Sequence, residues 1–99
     1  MALTAAFARY NELRGQGRHT GAKAFSDAMN AEDPVDMLAY GFLAISVNNA
    51  LQRQGKLKAE DVSTVNKAMT NKLVEQFAGP DESVRDELMT VFEHVQVTT

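Results

Sequence analysis

The sequence predicts an all-α protein: a compact bundle of four to five short helices around one central apolar helix at about 34–54. Three observations carry this. Apolar residues recur three and four apart along nearly the whole chain. The interruptions fall at glycine, proline or a capping side chain. The links near 31–33, 55–58 and 79–81 are short, which favours antiparallel or steeply crossed neighbours in one body.

The first helix is expected from about Leu3 to Arg14, with Leu3, Ala6, Phe7, Tyr10 and Leu13 on one face. It ends at Gly15-Gln16-Gly17, because each glycine costs a helix interior roughly 1 kcal/mol. Thr20 is placed to cap a second helix, Gly21 to Asn30, that buries Ala24, Phe25, Ala28 and Met29.

Asp33-Pro34 is the strongest local signal. An aspartate cap satisfies one orphan N–H, and proline at the first helical position removes another. Asp36 adds negative charge at the positive end of that helix. This third helix runs to about Gln54 and closes at Gly55 in the left-handed conformation. Met37, Leu38, Tyr40, Phe42, Leu43, Ile45, Val47, Ala50 and Leu51 cover most of its circumference, so it packs on several sides. Ala39, Gly41, Ala44 and Ser46 allow close approach of its neighbours.

The fourth helix opens at Leu57-Lys58, where Leu57 and Val62 have hydrophobic-staple spacing. Its expected stripe is Val62, Val65, Met69, Leu73 and Phe77, with Val74 off the stripe, and Gly79-Pro80 stops it. Asp81 or Gly79 caps the fifth helix, where Val84, Leu88, Val91, Phe92 and Val95 repeat the pattern to about His94. The tail 96–99 is expected to fray.

Composition narrows the function classes. Ninety-nine residues make one domain, 1–99, large enough for one core. The absence of cysteine removes disulfides, thiolate nucleophiles and cysteine-based metal sites together. The longest apolar-rich run, Met37 to Val47, is shorter than the roughly 20 residues a membrane span requires. With no lipidation motif either, a cytoplasmic protein with no membrane partner is expected.

The net charge of −3 hides two regions. Residues 1–31 hold four cations and two anions; residues 32–99 hold six and eleven. The positive region contains the segment Arg14-Gly15-Gln16-Gly17-Arg18-His19-Thr20-Gly21-Ala22-Lys23, a basic glycine-containing loop (15–19) leading into a helix N-terminus. Such a place suits anions. Arg9, Arg14, Arg18, His19 and Lys23 are therefore the candidate contacts to phosphate or nucleic acid. The spacing is not that of a P-loop, since Thr20 stands five positions after Gly15 and no strand precedes it. A solvated loop explains the same residues.

Major-groove reading fails on charge: the outer side of the fifth helix offers Glu82, Asp86 and Glu93 against the lone cation Arg85. Catalysis has little to stand on. His19 and His94 lack metal-ligand partners at i+3 or i+4, and no serine sits on a strand–turn–helix elbow. Carboxylate pairs such as Glu60-Asp61 and Asp81-Glu82 read as compensation of helix dipoles. The sequence thus implies no enzyme, no metal, no cofactor and no identifiable small-molecule substrate.

Surfaces for partners remain. The third helix has more apolar circumference than a small bundle readily covers, which makes Tyr40, Phe42 and Val47 candidates for an interface with a protein partner or a second copy. On the fifth helix, Met89 lies beside Glu82, Asp86 and Glu93, an adaptable apolar group next to acids. The functional expectation is a small helical protein–protein interaction module of the bacterial or phage accessory kind: a subunit, adaptor or inhibitor that docks by a helix face and self-associates in one form. The alternative is a nucleic-acid-associated protein contacting phosphates through residues 9–23.

Overall fold

The computed structural model describes residues 3–99. Its elements are α1 (Leu3–Arg14), α2 (Gly21–Asn30), α3 (Pro34–Arg53), α4 (Ala59–Ala78) and α5 (Glu82–Thr98). The described residues contain no strand. The radius of gyration, 12.6 Å, matches the ~13 Å of a folded 100-residue domain.

The punctuation works as the sequence predicts. Thr20 caps α2 by accepting from the Lys23 N–H at 3.1 Å. Asp33 caps α3 by accepting from the Val35 N–H at 2.8 Å, with Pro34 in the first turn. Asp81, not Gly79, caps α5, through the Val84 N–H at 3.2 Å. Gly55 closes the α3 end at φ 74°.

The central helix is α3, which packs against each of the other four. Phe42 is fully buried at its middle, stacked on Phe7 at 4.8 Å between ring centroids and meeting Phe92 edge-on at 5.3 Å. Three helices thus share one aromatic contact. Close approach on another side depends on Gly41. A Cβ there would stand 2.9 Å from Leu73 Cδ1 and 3.1 Å from Phe92 Cε1. Overpacking of this kind costs about 1–3 kcal/mol, against a gain of about 1 kcal/mol in helix propensity. Gly41→Ala should therefore lower stability by about 1 kcal/mol in a denaturant melt, and Gly41→Val by more. An unchanged midpoint for the alanine variant would show that Leu73 gives way freely.

The structure corrects two readings of α4 and α5. Val65 is 47% exposed, whereas Val74 is buried. The buried side of α4 is Val62, Asn66, Met69, Thr70, Leu73, Val74 and Ala78, turned roughly 60° from the predicted stripe at 100° per residue. Two polar residues, Asn66 and Thr70, occupy positions that apolar periodicity assigns to solvent.

The second correction concerns the tail. Residues 96–98 continue α5 and are tied down. Asn49 Nδ2 donates to the Gln96 carbonyl at 3.1 Å and to Thr99 Oγ1 at 3.0 Å, and Arg53 donates to the Thr99 main-chain oxygen. The bond to Gln96 takes up a carbonyl that a helix end leaves without a partner. The same amides form a buried network. Asn48 donates to Asn66 Oδ1 at 3.0 Å, while Asn66 Nδ2 donates to Asn49 Oδ1 at 3.2 Å and Gln96 Oε1 at 2.7 Å. Among the described residues no buried side-chain polar atom lacks a partner.

Candidate functional site

The two sets of candidate residues meet in an unexpected place. Beside the C-terminal half of α3 lies an open groove of about 680 Å³, bounded by the end of α1, the 15–19 loop and the last residues of α5. Its apolar surface includes Tyr10, Leu43, Val47 and Leu51, and its basic residues are Arg14, His19 and Arg53. No aspartate or glutamate lines it among the described residues. In a chain of net charge −3, this is a concentrated positive site.

Each basic residue is placed by local structure. Arg14 ends α1, its guanidinium 5.5 Å from the centroid of the buried Tyr10 ring, an arrangement that attracts a cation to the ring face. His19 turns back on the helix: its Nε2 lies 2.6 Å from the Leu13 carbonyl oxygen. A carbonyl only accepts, so Nε2 donates and Nδ1 remains as the other polar atom of the ring. This contact folds the 15–19 loop against the end of α1. Downstream, α2 starts close to α3, because a Cβ at Gly21 would stand 2.3 Å from Asn48 Oδ1. Arg53 is in the last turn of α3, where positive charge suits the helix dipole, and its bond to Thr99 holds it beside the groove.

The other predicted cations go elsewhere. Arg9 pairs with Glu12 at 3.0 Å and with Asp36 at 3.2 Å, and the Glu12 hydrogen bond, then Asp36, raises its pKa above the ordinary arginine value. Lys23 pairs with Asp27 at 2.6 Å, and that hydrogen bond raises the lysine pKa. Both cations are satisfied within the chain. Arg18 is exposed on the loop and does not line the groove. Of five predicted anion contacts, Arg14 and His19 come together.

The candidate interface residues also divide. Phe42 is 0% exposed and cannot touch a partner, because Phe7, Tyr10 and Phe92 enclose it from within the chain. This corrects its place among interface residues. Tyr40 and Val47, half-buried, share one side of α3, but Val47 alone of the two reaches the groove. Glu82, Asp86 and Glu93 are exposed, and none forms an ion pair among the described residues. Met89 is packed at the edge of the core and, with Asn66, Thr70 and Glu93, lines a smaller cleft of about 200 Å³ between α4 and α5.

Sequence reasoning missed Arg53. Its signal was present, a cation in the last turn before Gly55, but dipole compensation explained it fully. Only the return of α5 to that end of α3 makes it part of a site. The two ion pairs at i,i+3 and i,i+4 spacing were also legible, and they would have removed Arg9 and Lys23 from the basic set.

No described helix is long and apolar enough to cross a membrane, and no group of metal-ligating side chains occurs among the described residues. No protein-family model, curated protein or solved structure matches the chain.

Proposed function

We propose that this chain is a small helical protein-interaction module, an accessory subunit, adaptor or inhibitor, that docks its partner in the groove beside α3. The observation that carries the reading is the composition of that groove: an apolar wall at Val47 and Leu51 beside basic side chains. Interfaces place apolar anchors in desolvated pockets and surround them with polar groups that set orientation. A surface serving phosphates alone has no use for the apolar wall. The loss of Arg9 and Lys23 to internal ion pairs also shortens the basic stripe that a nucleic-acid backbone would follow.

Site-directed photocrosslinking tests the proposal. With p-benzoylphenylalanine in place of Val47, irradiation in an extract of the producing cells should give a discrete protein adduct, lost when Arg14→Glu is added. The same probe in place of Ala22, on the exposed side of α2, should give none. A nuclease-sensitive adduct at position 47 would overturn the protein reading in favour of the nucleic-acid one. No adduct specific to position 47 would overturn docking in the groove.

A further inference from the structure

We infer that the groove recognises an acidic segment of its partner, one that places a carboxylate against Arg14 and Arg53 and an adjacent apolar side chain on the Val47–Leu51 wall. The inference rests on the docking role proposed above and assigns the chemistry of the docked segment.

The argument is one of charge complementarity within a confined space. Arg14 and Arg53 lie in different helices, yet both line one groove that contains no aspartate or glutamate side chain among the described residues. Ion pairs elsewhere show that this chain neutralises cations when a carboxylate is in reach: Arg9 takes two and Lys23 one. Among the described residues Arg14 and Arg53 have no aspartate or glutamate partner. Arg14 lies over the Tyr10 ring face, which positions the guanidinium without consuming its hydrogen-bond donors. Arg53 gives one nitrogen, Nη1, to the Thr99 main-chain oxygen, leaving donors on its other nitrogens. A guanidinium presents a planar fork that matches the two oxygens of a carboxylate, so two of them define a strong preference for an acid.

The apolar wall supplies the second half of the recognition. Val47 and Leu51 are one helical turn apart on α3 and both are half-buried. An apolar partner side chain seated there would exclude water from the neighbouring ion pair and strengthen it. Charge fixes the orientation of the segment, and apolar contact adds affinity.

A random peptide library panned against the intact protein tests this. Enriched sequences should carry Asp or Glu beside an apolar residue. Calorimetry on the best peptide should show affinity falling as salt rises. Arg14→Gln and Arg53→Gln should each weaken binding by about tenfold or more, as expected for losing a charged hydrogen bond. Arg14→Lys should lose part of that, because charge is kept and the fork is not. Melting curves of each variant separate lost contacts from a loosened α5 end.

Enriched peptides without acids, or acidic peptides whose affinity both glutamine variants leave unchanged, would overturn the inference. If such peptides still lose binding on Val47→Arg, the groove remains a docking site and only the acidic preference falls. If no enriched peptide depends on Val47 or Arg14, the docking role falls with it. Self-association lost in Asp86→Asn/Glu93→Gln and in Arg14→Gln would overturn a separate partner while supporting the acidic preference, by showing that the acidic face of a second copy's α5 is the segment bound.

Discussion

Phe42→Ala should reduce the stability of the protein by about 3–5 kcal/mol, the usual cost of removing a buried aromatic ring. The ring is 0% exposed and touches Phe7, Tyr10 and Phe92, so the cavity is lined from α1, α3 and α5 at once. Collapse around it would require these helices to move together, which argues for the upper part of the range. Small domains hold only about 5–15 kcal/mol in total, so this change alone leaves a substantial unfolded fraction. The expected fall in Tm is on the order of 15–35 °C for a chain this size. Thermal and urea melts followed by circular dichroism measure it. The experiment also separates two roles for this residue. A core residue lowers Tm when truncated, while an interface residue leaves Tm near wild type and loses the partner. Normal stability in the alanine variant would contradict the packing described above.

Asn66→Ala should cost about 2–4 kcal/mol, and through a different mechanism. Asn66 accepts from Asn48 and donates to Asn49 and Gln96, joining α3, α4 and α5 in one set of hydrogen bonds. Its removal takes away the acceptor of the buried Asn48 Nδ2 group, which has no other side-chain hydrogen bond among the described residues. An orphaned buried polar group costs about 1–3 kcal/mol, and weakening of the remaining network adds to that. The predicted drop in Tm is on the order of 10–25 °C. Thr64→Ala serves as the control, because Thr64 is exposed and bonds only its own helix, so it should change stability by less than about 0.5 kcal/mol. Hydrogen exchange gives a sharper readout: protection should fall first in the last turns of α5, which Asn49 and Gln96 hold. Equal Tm values for the two variants would mean that the amide network contributes nothing.

These two residues mark the limit of what apolar periodicity conveys. Phe42 was legible as part of a helix apolar on nearly every side, yet its assignment to a partner surface assumed that the chain would leave it uncovered. The folded chain brings Phe7 and Phe92, thirty-five and fifty positions away from it by number, onto the same ring. Asn66 was invisible for the opposite reason. A buried asparagine looks like a solvent residue until its partners on two other helices are known. Val65 took its place in the expected stripe because hydrophobicity alone decides periodicity, whereas burial depends also on which polar side chains can be satisfied.

The sequence by itself determined the helices, their caps and the central role of α3. Those features depend on neighbours a few positions away: Thr20 on Lys23, Asp33 on Val35 and Asp81 on Val84. Tertiary structure alone decided the fate of the basic segment, the burial of Phe42 and the anchoring of the tail. It withdrew Arg9 into a pair with Asp36, twenty-seven positions away, and set Arg14 and His19 in one groove with Arg53. The physical reason is range. Capping and turn chemistry act within about one helical turn, while a groove is made by surfaces that meet only when the chain has folded.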